Sequence, residues 1–409
     1  MELPSNRWDP MSSRRTLSRP ALLTLGLMAL GFMHMACSST TEVPASDRPA
    51  TESDTPGGAP SPAEAATTPG ERPERPRPTT TSGSTETEST PSVAPTSGPS
   101  PSGPADPLLL GISVHVEGWS MEDSDVEAFR RHRDSLLTLA REVEAGGGVL
   151  TFELSDVFMA AVVAWDDDVL AQLTSMGHAV AVHADVGGRG SASLAQLTRA
   201  LTDKRDTLAA LGYPTNHVSG ICSRGPWVEA ALAAGFTSTN GAVAYCATSM
   251  DPALLTDEQA WVLDCAGPGD CHGPAPVGDD RRLHPFHATN SDDWMLSDAE
   301  DGLLLIISES GSSIDCLDRS APGEDGSCEA TTADLVVFTQ VLEDYLGART
   351  PGHTTALVYS WSIGSLPAAG FGTDLVTAVE HAIDAGSAVW VGVDRIEAIA
   401  EGRGSLPSS

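Results

Sequence analysis

Lysine is nearly missing from this chain. Lys204 is the only one among 409 residues, and 23 basic against 56 acidic side chains leave a formal net charge of −33. A surface this acidic repels phosphate backbones, which argues against nucleic acid as a partner and suits a neutral or cationic ligand better. Long apolar runs are scarce as well: the strongly apolar stretch at 21–32 is too short to span a bilayer. No two cysteines have the close spacing of a structural zinc knuckle. There is no internal repeat and no glycine motif built to cradle a phosphate. Acidic residues at Asp292, Asp293 and from Asp315 to Asp325 suggest a calcium-stabilised adhesion module as a third, weaker class, but none has the spacing of a calcium loop. Large apolar groups are almost absent from residues 38–106, which are Pro, Ser, Thr, Glu and Gly. Such a segment cannot offset its ordering entropy, so a disordered, flexible tether is expected there.

What precedes the tether reads as an export signal. Arg14, Arg15 and Arg19 supply a positive start, and 21–32 the apolar run. Met35-Ala36-Cys37-Ser38 resembles the lipobox of bacterial lipoproteins, with His34 where that pattern prefers a leucine-like residue. Ser13-Arg14-Arg15-Thr16-Leu17 resembles a twin-arginine signal. The resemblance implies a signal peptide over 1–37, acylation of Cys37 and a protein anchored by lipid to a bacterial membrane in the cell envelope. The linker then covers 38–106 and one globular domain 107–405. Of the seven cysteines, Cys37 stands apart and six lie in the globular part. An even set in an exported protein favours disulfides. Nearest-neighbour pairing gives Cys222–Cys246, Cys265–Cys271 and Cys316–Cys328, a connectivity that sequence cannot fix.

From residue 108 onward, strand and helix patterns alternate. Strands are expected at 108–116, 149–154, 179–183, 217–222, 238–245, 303–308, 355–359 and 388–393. Helices are expected at 125–145, 169–176, 193–211, 227–234, 333–346 and 373–385, with an irregular excursion over 246–300. Eight apolar strands with helices between most of them predict an α/β fold, a (β/α)7–8 barrel, with a doubly wound open sheet as the alternative.

In a parallel barrel the residues just past each strand gather at one mouth. They include His115, Glu117 and Trp119; His183 and Asp185; Arg224 and Trp227; and Ser360 and Trp361. His287, Asp292, Asp293 and Trp294 lie in the excursion. Two imidazoles and two carboxylates could bind a zinc-like divalent metal, or act without metal as an acid–base pair. Arg224 could hold a carboxylate charged or bind substrate oxygens, although a structural ion pair is its commoner role. The tryptophans Trp119, Trp227 and Trp361 could stack on sugar faces or cap the barrel core.

A family resemblance rests on the same residues. Gly177-His178-Ala-Val-Ala-Val-His183 resembles the paired-histidine segment of the polysaccharide deacetylases with NodB homology. Ser113-Val-His-Val-Glu117 resembles their first motif, and Arg224-Gly-Pro226-Trp227 their Arg-x-Pro motif. The resemblance implies a distorted (β/α) barrel of the deacetylase type, with His183 as a metal ligand. It departs where the family's base is His115, its metal aspartate is Val116, its second ligand histidine is Gly187, and its late-strand histidine is Ser360. The expectation is a lipid-anchored protein hydrolysing an acetyl or glycosidic linkage of a cell-surface glycan. In it, His115 or Asp185 is the base, His183 and Glu117 are metal ligands, and Arg224 is an electrostatic support. The rival reading is a non-catalytic glycan binder that has lost the metal site.

Overall fold

The first strand, β1 (Leu108–Val116), is buried at all nine positions. Such complete burial is what a parallel strand covered on both faces requires. The computed structural model to which it belongs describes residues 105–117, 121–187, 190–268, 271–310, 328–330, 332–363 and 365–406. The chain divides into two units, Met1–Pro91 and Ser92–Ser409, and every described residue belongs to the second. The expected signal peptide, Cys37, Trp119 and Cys316 therefore lie outside the described residues, as does the tether up to residue 104.

Strands β2 (Leu150–Leu154), β3 (Ala179–His183), β4 (His217–Ser219) and β5 (Ser238–Asn240) follow β1 in parallel register, each beside its predecessor. After β6 (Phe286–Ala288), a single segment closes the ring. Its first half, β7 (Leu303–Ile306), pairs with β5, and its second half, β8 (Glu309–Ser310), pairs with β10 (Ala356–Ser362), which lies on the other side of β1. Short strands β9 (Cys328–Ala330) and β11 (Ser365–Pro367) pair with each other, β6 runs antiparallel to β7, and β12 (Ala388–Trp390) joins the base of β1. This is a parallel α/β barrel with seven positions, closed by a kinked strand, rather than an open doubly wound sheet.

The helices are α1 (Val126–Ala145), α2 (Asp156–Ala164), α3 (Val169–Ser175), α4 (Leu194–Ala210), α5 (Trp227–Ala234), α6 (Asp279–Leu283), α7 (Thr332–Ala348), α8 (Phe371–Asp384) and α9 (Val393–Ala400). The start of α1 is set by Asp125, whose carboxylate accepts the backbone N–H groups of Glu127 and Ala128. Its buried stripe, including Phe129, Leu136, Leu139 and Val143, faces the sheet. Sequence periodicity did not anticipate α2 or α9. The second matters most: it carries Val393 and Ile396 into the lower barrel, against Leu109, Ile306, Ala356 and Val358. Gly111 in β1 makes room for it, since a Cβ there would stand 2.9 Å from Val393 Cγ2.

Two disulfides tie down the region after β4. Cys222 joins Cys246 with Cα atoms 4.7 Å apart, and Cys265 joins Cys271 at 5.9 Å. The third expected pair falls outside the described side chains. No helix among the described residues is long and apolar enough to cross a membrane.

Candidate metal centre at the barrel mouth

Strand pleating sends alternate side chains into the barrel. On five neighbouring strands these include His115, Glu153, His183, His217, Ser219 and Asn240, all buried; His217 is the first residue of β4, and the others stand at or next to a strand's carboxyl end. Glu117 follows β1 directly and is half-buried, its side chain 27% exposed. The ligand-type atoms of His115, Glu117 and His183 lie within 4.8 Å of one another, forming the one such group of three among the described residues.

The contacts run in a chain. Glu117 Oε2 accepts from His183 Nε2 at 2.7 Å, and Glu117 Oε1 lies 3.7 Å from His115 Nδ1. The two imidazole rings lie 4.4 Å apart, tilted by 30°. On its far side His183 Nδ1 meets the Ser219 hydroxyl at 2.8 Å. His115 Nε2 faces Glu153 Oε2 at 2.9 Å, and the other Glu153 oxygen lies 3.4 Å from His217 Nε2. His217 in turn contacts Ser238 Oγ at 2.9 Å and Asn240 Oδ1 at 3.0 Å, and Asn240 donates to Ser360 Oγ at 3.4 Å. This last contact spans the barrel from β5 to β10.

Burial by itself would lower the pKa of His115. Glu153 and Glu117 more than reverse that, raising it from 6.5 to about 10. Burial would raise both carboxyls, but the imidazoles hold them well below the ordinary 4.5: His183 and His115 act on Glu117, His115 and His217 on Glu153. His115 thus lies between two carboxylates, each of which favours its protonated form.

The donor set suits a divalent metal. Two imidazole nitrogens and one carboxylate are the three protein ligands of a catalytic zinc site with an open position. Tetrahedral bonds of about 2.1 Å put neighbouring ligand atoms about 3.4 Å apart, near the 3.7 Å of His115 Nδ1 and Glu117. The 2.7 Å contact of His183 is a hydrogen bond that a metal would replace.

Other expected site residues lie elsewhere. Asp185 is exposed and outside the cluster, because its backbone turns into the left-handed region at φ 43°. Arg224 is also exposed, and its guanidinium binds the carbonyl of Cys265, so it anchors the disulfide loop rather than the cluster. Trp227 is fully buried, edge-on to Trp294, with its N–H donated to Ser249 at 3.0 Å. Trp361 is equally buried, edge-on to Phe371. Neither offers a face to a sugar; both are core. His178, the first histidine of the paired motif, is structural too. Its Nδ1 accepts from Leu150 N at 3.1 Å and its Nε2 donates to Ala140 O at 2.9 Å.

Glu153 and His217 were not singled out in the sequence. The available signal was the one charged residue in a strand of otherwise uncharged residues, Leu150-Thr-Phe-Glu-Leu154, where an isolated charge is costly unless paired.

No family model and no curated protein matches the chain. Among solved structures it is similar to a candidate polysaccharide deacetylase from Mycobacterium smegmatis, at 12% identity and TM-score 0.44, covering 76% of this chain and 96% of that one. Puue allantoinase gives 14% identity and TM-score 0.44, covering 74% and 96%. A CE4 family pseudoenzyme from Bacillus anthracis gives 11% and 0.32, covering 71% and 66%. At these values the fold rests on the chain's own strand pairing.

Proposed function

We propose that this protein is a divalent-metal-dependent hydrolase acting on an acyl linkage of an extracellular glycan. The observation that carries the reading is the His115–Glu117–His183 group at the carboxyl end of the barrel. A bound zinc-like ion would supply a water of lowered pKa and polarise a carbonyl oxygen. His183 and Glu117 would hold it together with His115, which must give up its proton to do so. Ser219 orients His183, and Glu117, half-exposed, lies on the side from which substrate would arrive. The glycan class comes from the resemblance of residues 177–183 and 224–227 to polysaccharide deacetylases.

The test is metal content and acetate release. Full-length protein prepared without chelator should hold about one metal per chain and release acetate from an N-acetylated amino-sugar oligomer. His183→Ala should lose both and stay folded. A folded wild-type protein that takes up no zinc, cobalt or manganese would sink the hydrolase reading.

The binding-only reading has one observation of its own. Trp261 is 49% exposed, in the excursion whose Pro268 leans on Gly187 beside β3. It is a free aromatic face for a sugar. If Trp261→Ala abolishes glycan binding while metal-loaded protein releases no acetate, this reading replaces the first. We propose as well that Cys37 carries a lipid anchor in a bacterial envelope, supported by the arginines and apolar run before it. Labelled palmitate should enter wild type and not Cys37→Ala.

A further inference from the structure

Among the described residues, the carboxylate of Glu153 faces no partner other than imidazoles. It is fully buried, and neither of its oxygens has an aligned hydrogen-bond donor, although His115 Nε2 stands 2.9 Å and His217 Nε2 3.4 Å away. Among the described residues His115 Nε2 has no other hydrogen-bond partner. A buried charge without backbone or hydroxyl donors is costly, and a fold that needed only stability would do as well with an apolar side chain there. Glu153 is one residue from the apolar Leu154 and directly beside His115 in the β1–β2 register.

We infer that Glu153 is a positioning residue for the metal centre: by taking Nε2–H of His115 it leaves Nδ1 as the metal-facing nitrogen. The inference rests on the metal reading above. A ligand histidine commonly gives its second ring N–H to a carboxylate, which sets the tautomer and the ring plane. The geometry fits that arrangement, because Nδ1 is the His115 nitrogen turned toward Glu117 and Nε2 is the one turned toward Glu153. The two histidines differ in how firmly they are held. Ser219 can donate or accept, so His183 can carry its proton on either nitrogen. An ionised carboxylate only accepts, so Glu153 permits one tautomer of His115. His217 is the backstop: Ser238 and Asn240 fix its ring, and its Nε2 faces the oxygen that His115 does not use. The centre then takes mixed ligands, Nδ1 from β1 and Nε2 from β3.

Zinc titration of the full chain, by competition with a chromophoric chelator, tests this, with cobalt absorption as a second readout. Glu153→Gln should bind zinc about 10–100-fold more weakly than wild type, with altered cobalt bands. Glu153→Asp, which keeps the charge on a shorter arm, should recover part of the affinity. Equal zinc affinity and unchanged cobalt bands in Glu153→Gln would overturn the positioning role while leaving the metal site standing. Absence of zinc binding in wild type would instead remove the metal reading itself. Should Glu153→Gln not fold, Glu153→Asp decides: unchanged affinity and bands overturn the role, and weaker affinity with shifted bands supports it.

Discussion

The two ends of the barrel interior follow opposite rules although the same strands build both. On the lower side Leu109, Ile306, Ala356, Val358, Val391, Val393 and Ile396 are each at most 1% exposed and make a small apolar plug. On the upper side the same alternation delivers His115 from β1, Glu153 from β2, His183 from β3, His217 from β4 and Ser360 from β10. Leu109 and His115 share a face of one strand, as do Val358 and Ser360, so a few residues along a strand separate a packing role from a chemical one. The lower half gains by removing apolar surface from water. The upper half keeps ionised groups out of water, which costs stability unless every charge is matched. A parallel barrel tolerates this division because function gathers at the carboxyl ends of its strands and stability at the other.

Five measurements would break or sharpen that contrast. The largest effect is expected for Val393→Asp, which leaves an unpaired charge in the plug and should cost about 3–5 kcal/mol. A urea midpoint close to wild type would mean that the lower half is not a closed apolar core. Ile396→Ala, a cavity in the same place, should lose about 2–5 kcal/mol without touching zinc affinity. Gly220→Ala crosses into the upper half. Gly220 sits at φ 66°, and a Cβ there would stand 2.9 Å from His183 Cε1. It should cost about 1–3 kcal/mol in backbone strain and weaken zinc binding. Stability and metal affinity moving separately would show that His183 is not tightly held.

Replacing both His115 and Glu153 by leucine should be nearly neutral or stabilising, because the buried ion pair leaves as a unit, yet abolish metal binding. A loss above about 3 kcal/mol would show that the upper half is part of the stabilising core. The last measurement is pH dependence. His115 gains pKa on folding, so its contribution is whole below about 6.5 and drains away as pH rises toward about 10. Glu117 and Glu153 lose pKa on folding, so theirs is present above about 4.5 and lost in acid. Urea midpoints should therefore fall on both sides of the range between 4.5 and 6.5. The alkaline limb should flatten in the double leucine variant; an unchanged limb would place the titrating group elsewhere.

Strand and helix alternation from residue 108 was legible because covered parallel strands write continuous apolar runs and amphipathic helices write their period. The pairing of His115, Glu117 and His183 followed from their places after strands one and three. The same logic failed for Arg224 and Asp185, which also follow strands. One is drawn to the Cys265 carbonyl and the other sits on a left-handed turn, neither written in local pattern. Trp227 and Trp361 misled for a related reason, since an aromatic after a strand reads alike whether it caps the core or faces substrate.

By itself, then, the sequence determined the periodicities that make a parallel α/β domain, the acidic surface, and the strand ends where chemistry could gather. The tertiary structure alone decided that Glu153 and His217 stand behind His115. It also decided that one kinked segment closes the ring and that α9 plugs its base. The reason is distance along the chain. His115 and Glu153 meet through strand register, and Gly111 and Val393 through packing across the barrel, and contacts of that span leave no mark within a local window.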